Sequence, residues 1–90
     1  MHTTQDKTRL LARVRRIRGQ VEAIERALDA GTGCTEVLQL VAAVRGASNG
    51  LMAELMEGHV REHLANPVVS PEERNLAADE LIAIVRTYLK

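Results

Sequence analysis

The stretch KTRLLARVRRIRGQVEAIERAL, residues 7–28, decides the fold. Leu10, Val14, Ile17, Val21, Ile24 and Leu28 recur at alternating steps of four and three, the spacing of an unbroken heptad seam on one face of a helix. Gly31 and Gly33 follow at once, and glycine adopts the left-handed conformation of a helix end without a Cβ penalty, so the first helix is predicted over about residues 5–30. Further along, Val37, Val41, Val44, Ser48, Leu51 and Leu55 form a second seam, while Leu38, Met52, Met56, His59 and His63 lie beside it. The second helix therefore has two faces to bury. It is predicted to stop at Asn66-Pro67, because proline disfavours helical geometry in the residue before it and has no donor of its own. Ser70-Pro71-Glu72-Glu73 then reads as a capping box, with Ser70 as N-cap and Glu73 placed to reach back to the Ser70 amide. A third helix over about 71–89 carries one apolar stripe, Ala77, Leu81, Ile84 and Tyr88, with Val85 beside it.

The expected class is all-α, a three-helix protomer forming a single domain over residues 1–90. Hydrophobic residues make up 46% of the chain, yet Tyr88 is its one aromatic residue, and a core of aliphatic side chains suits interdigitating helices better than a sandwich. At this length a single core gives only a few kcal/mol of stability. A hairpin of the first two helices cannot cover both sides of the second, and one short third helix leaves the cover incomplete. Self-association is therefore predicted. A homodimer built on antiparallel second helices is the simplest closed arrangement, and the third helix can join dimers into a tetramer. Cys34 is the lone cysteine, which excludes an internal disulfide. No apolar run approaches the roughly 20 residues of a membrane span, and the N-terminus lacks the apolar core of a secretion signal, so the cytoplasm is the expected location.

Charge is balanced overall, with 12 basic and 12 acidic residues, but unevenly distributed. Lys7 to Arg18 holds six cations and no acid, whereas residues 51–90 hold seven acids and four bases. Arg9, Arg13, Arg16 and Gln20 form one stripe beside the first seam, and Arg15 and Arg18 lie on its other side. Such a run also serves as the solvated flank of an ordinary amphipathic helix; its placement here makes a guanidinium ridge suited to DNA phosphates. Arg45, mid-helix among small residues, fits either an ion-pair partner or a further DNA contact. No helix-turn-helix, zinc finger or aromatic platform is present, so binding would lean on phosphates and DNA shape.

His59 and His63 are four apart, which puts two imidazoles on one helix face, within reach of one metal ion. Taken alone such a pair is more often solvated surface, and a lone cysteine such as Cys34 is more often a small buried hydrophobe. Their separation is informative. His59 follows Cys34 by 25 residues, which at 1.5 Å per residue is roughly 37 Å along one helix, too far for a shared site in one protomer. In an antiparallel pair of second helices, Cys34 of one protomer faces His59 and His63 of the other, giving two identical intersubunit sites. The hairpin also returns His2 towards His59 and His63, as a fourth ligand or as an idle residue at a frayed end. One thiolate and three imidazoles suit nickel, cobalt or zinc and offer too little sulfur for Cu(I). A chaperone or store for such a metal, without any DNA affinity, is a rival reading. An enzyme using Cys34 as nucleophile is another, and a chain this short has no evident substrate pocket for it.

The stretches RVRRIRGQV at 13–21 and AAVRGASNGLMAELMEGH at 42–59, with the isolated Cys34, resemble the CsoR/RcnR/FrmR family of transcriptional repressors across essentially the whole chain. The resemblance implies a disc-shaped tetramer of two antiparallel dimers, with Arg13, Arg16 and Arg45 at the positions used for operator DNA. At the family's sensing positions this chain reads His2, Cys34, His59 and His63, a pattern like that of the nickel- and cobalt-responsive branch. Copper sensors of the family carry a second cysteine where His63 stands, and persulfide sensors need two. Helix one and AAVRGASNGLMAE look equally like formaldehyde-responsive members, in which the cysteine is the nucleophile beside an N-terminal proline amine; His2 replaces that proline here. The function implied is a non-enzymatic repressor releasing operator DNA when nickel or cobalt occupies the Cys/His site, with formaldehyde as the alternative inducer.

Overall fold

The computed structural model describes residues 4–89, and every regular element in that range is helical. Helix α1 spans Thr4–Asp29, α2 spans Cys34–His59, a π-helical turn occupies Val60–Leu64, and α3 spans Pro71–Tyr88. The chain divides into two compact units, one running from α1 to Ala53 and the other from Glu54 through α3.

In the first unit α1 ends where Gly31 takes φ 70°. The Gly31 amide donates to the Leu28 carbonyl at 3.2 Å and the Thr32 amide to the Ala27 carbonyl at 2.9 Å, the paired bonds of a Schellman cap. Gly33 does not share that role. Its carbonyl accepts from Glu36 at 3.1 Å and Val37 at 3.2 Å, so it opens α2 rather than closing α1.

The seam expected on α1 is rotated. The half-buried line is Leu10, Arg13, Ile17, Gln20, Ile24 and Ala27, whereas Val14, Val21 and Leu28 remain 45%, 49% and 64% exposed. On α2 a half-buried line likewise runs through Val37, Leu40, Val44, Ala47 and Leu51, with Val41 and Leu55 exposed. The cause is complementary size: Arg13 and Gln20 have long apolar stems, and α2 offers Ala43, Gly46, Ala47 and Gly50 for those side chains to lie across.

In the second unit the α-helix stops at His59 and not at Asn66 as the proline suggested. The Ala65 amide reaches the Val60 carbonyl five residues back at 2.8 Å, which widens the last turn into a π-helix before Pro67 is reached. Asn66 Oδ1 accepts from the Val68 amide at 3.0 Å and turns the chain. Arg74 Nη2 donates to the Asn66 and Val69 carbonyls at 3.3 and 3.2 Å, fastening this linker to α3. Ser70 caps α3 as expected, its hydroxyl accepting from the Glu73 amide at 3.2 Å, with Pro71 in the first turn. Ala77, on α3, is the one buried hydrophobic residue among those described; Ile84, Val85 and Tyr88 of the expected stripe stay exposed. Among the described residues, no helix is long and apolar enough to cross a membrane.

Candidate metal centre and nucleic-acid interface

The α2 helix carries its chemistry at its two ends. Cys34 is the first residue of the helix, a free and exposed thiol, and His59 is the last. The π-turn sets His63 after it. A wider helical turn brings residues four apart closer to eclipse, and the His59 and His63 rings stand 5.0 Å apart between centroids, tilted by 53°. Two imidazoles at this spacing fit one tetrahedral ion with bonds near 2.0 Å.

His59 is half-buried because α3 lies against it. Its Nε2 is 3.0 Å from the Ala77 carbonyl oxygen. A carbonyl only accepts, so Nε2 carries the proton and Nδ1 keeps the lone pair that a metal requires. A backbone oxygen orienting a ligating histidine is the usual outer shell of a metal site. His63 is more open, its Nε2 4.0 Å from the Glu62 carboxylate. This distance is at the edge of an ion pair.

Among the described residues of one protomer, no three candidate ligands converge. The structure brings His59 and His63 together and keeps Cys34 at the far end of the helix, while His2 lies outside the described residues. One protomer therefore holds two imidazoles at one end of α2 and one thiol at the other. The Ala77 carbonyl is the contributor that sequence reasoning missed, since a backbone oxygen leaves no side-chain signature.

The basic stripe is a groove in the first unit. Arg9, Arg13, Arg16 and Gln20 of α1 and Ala43, Gly46 and Ala47 of α2 line an open concavity of about 610 Å³. Arg13 is half-buried, whereas Arg9 and Arg16 are exposed. Arg9 Nη2 also lies 3.2 Å from Asp6 Oδ1, a surface ion pair one turn apart on α1. The Oε1 of Gln20 is buried there without a hydrogen-bond partner, so the groove already holds one acceptor seeking a donor. Arg45 stands exposed on α2, outside this groove. Three guanidiniums over a floor of small residues can hold anionic oxygens through charge-assisted hydrogen bonds.

Comparison with known proteins places these features in context. A family model described as metal-sensitive transcriptional repressor matches residues 6–87. The chain is 56% identical over 89 residues to a Serratia marcescens protein described as an uncharacterized protein in the bioA 5′ region, covering 99% of this chain and 98% of that one. It is 40% identical over 89 residues to the transcriptional repressor RcnR of Salmonella paratyphi B, with the same coverage of 99% and 98%. Among solved structures, the formaldehyde-responsive regulator FrmR of Salmonella enterica serovar Typhimurium, in a glutamate-to-histidine variant, superposes with a TM-score of 0.91 at 51% identity, covering 98% of this chain and 99% of that chain.

Proposed function

Since the chain belongs to the family of metal-sensitive transcriptional repressors, we propose that it binds operator DNA and releases it when nickel or cobalt is captured between Cys34 of one protomer and His59 and His63 of another. The family is one of repressors, not enzymes. The observation that carries this reading is the split site, a pair of imidazoles 5.0 Å apart at one end of α2 and an exposed thiol at the other. Two copies of α2 packed antiparallel would complete it twice.

The register of the open face of α2 supports that pairing. Leu38, Val41 and Leu55 are 62%, 46% and 40% exposed, and Met52 lies on the same heptad line. An antiparallel pair that sets Cys34 opposite His59 also sets Leu38 opposite Leu55 and Val41 opposite Met52. A single two-fold register thus pairs these apolar residues and assembles the ligands, with Arg45 and Ser48 meeting at its centre. Further association into a tetramer through α3 would cover Leu76, Ile82 and Tyr88, which are 61%, 47% and 67% exposed.

A bound divalent ion would supply coordination bonds tying the ends of two α2 helices together. His59 would offer Nδ1, with Nε2 held by Ala77; His63 would turn towards the same point; Cys34 would lose its proton on binding; His2 is the proposed fourth ligand. Arg13 and Arg16 are the proposed DNA contacts, acting on phosphates, whereas the antiparallel register sets Arg45 opposite Ser48 of the other copy within the paired face. Because His2 precedes α1, its capture would pull on the helix that carries Arg13 and Arg16. Occupancy and DNA binding would then oppose each other by linkage. Zinc suits the same donors.

A second reading has the likeness to FrmR in its favour: an exposed, unbridged Cys34 thiol is open to attack on formaldehyde. One experiment separates the two. A labelled duplex recovered from genomic DNA by selection on the protein is followed by fluorescence anisotropy while nickel, cobalt, zinc, Cu(I) and formaldehyde are added separately. Release by nickel or cobalt alone is the expected outcome. Release by formaldehyde alone would make Cys34 a nucleophile and end the metal reading; failure to select any DNA would end both.

A further inference from the structure

Gly50 lies within α2, where glycine weakens a helix relative to alanine. Backbone freedom does not explain its presence, because Gly31 is the described glycine with positive φ. Its surroundings do. A Cβ built on Gly50 would lie 2.9 Å from Arg13 Nη1 and 3.8 Å from Arg13 Cζ, closer than a carbon and a nitrogen not bonded to one another can sit. Gly46, one turn earlier and lining the same groove as Arg13, has nothing within 4 Å of its Cβ position. The crowding is therefore particular to Gly50, and it involves the guanidinium of the one half-buried arginine in the groove.

We infer that Gly50 is a positioning residue for DNA binding: its missing side chain lets the Arg13 guanidinium lie against α2 at the groove, aimed to meet a phosphate. The inference rests on Arg13 being a DNA contact, as proposed above. A methyl group at position 50 would be accommodated by moving the far end of Arg13 rather than the helix, since the atoms it meets are the tip of a flexible side chain. The helix would gain from the substitution while the arginine lost its seat, so stability and DNA affinity should move in opposite directions. A purely structural glycine would move them together.

The test is a double-mutant cycle on the full-length protein with Gly50→Ala, Arg13→Ala and both together, and Gly46→Ala as a control. Binding to a fluorescein-labelled duplex of mixed sequence is measured across a salt series, because phosphate contacts weaken binding to all sequences alike when removed. Gly50→Ala is expected to melt no lower than the parent, to bind roughly three- to tenfold more weakly, and to show a salt slope shallower by up to about one. Arg13→Ala should lose at least as much, and adding Gly50→Ala to it should change nothing further. Gly46→Ala should bind like the parent. If Arg13→Ala binds normally, the reading of Arg13 as a DNA contact falls and the inference falls with it. If Arg13→Ala is weak but Gly50→Ala binds as well as or better than the parent, or the two losses add, Gly50 does not act through Arg13 and the inference alone is overturned.

Discussion

Replacing Val41 by glutamate probes the proposed dimer where the geometry makes a quantitative claim. Val41 is 46% exposed in the isolated chain, so about half of its burial energy is still available to a partner. Fully burying a valine contributes about 1.5–3 kcal/mol, which leaves roughly 0.7–1.4 kcal/mol per copy. Two-fold symmetry doubles this, to roughly 1.5–3 kcal/mol per dimer. Two carboxylates must also be desolvated against the partner's Met52, which brings the total to at least about 3 kcal/mol, or a dissociation constant raised on the order of a hundredfold. Glutamate is a good helix former, so α2 itself is not the weak point. Sedimentation velocity across a dilution series reads the effect directly. Adding Met52→Lys to Val41→Glu should restore association, because position 41 of one copy then meets position 52 of the other; along one helix the two are roughly 16 Å apart and cannot pair. A Val41→Glu protein that sediments like the parent, or a double variant no better than the single, would refute the antiparallel register.

Two further substitutions separate fold from function. Gly31→Ala places a Cβ at φ 70° and should cost about 1 kcal/mol, lowering the melting temperature by roughly 4–8 °C at fixed protein concentration with DNA binding retained; an unchanged melt would mean the cap does not hold α1. Cys34→Ala removes an exposed side chain, so fold and DNA affinity should be kept while release by nickel or cobalt is lost. A variant still released by either metal would take Cys34 out of the sensing site.

The helix ends were the most legible part of this fold, because Gly31 and Ser70-Pro71 act through local backbone geometry that no distant contact overrides. The faces were less so. Counting aliphatic residues put Val14 and Val21 on the inner line, but Arg13 and Gln20 occupy it, since their stems fit a surface of alanine and glycine; the small residues at 43, 46, 47 and 50 of α2 were the available signal. The apolar residues left outside are those a second copy would need, so one periodicity was serving two interfaces. The π-turn had no legible cause, as Pro67 marked a stop and the widening came several residues earlier. The pairing of His59 with His63 and their distance from Cys34 followed from helical spacing alone. The hold of Ala77 on His59 depends on how α3 folds back, which no local pattern encodes.

Whether the sensing site is shared between chains is tested most directly by mixing two crippled proteins. Cys34→Ala keeps the imidazoles and His59→Ala keeps the thiol, so neither should show the sulfur-to-cobalt charge-transfer band when cobalt(II) is added, but a mixed dimer holds one intact site. After subunit exchange, about half the dimers are mixed, and the band should return at about a quarter of the parent's intensity. No band in the mixture, with exchange verified by mass, or a full band in either variant alone, would contradict a site built from Cys34 of one chain and His59 of another.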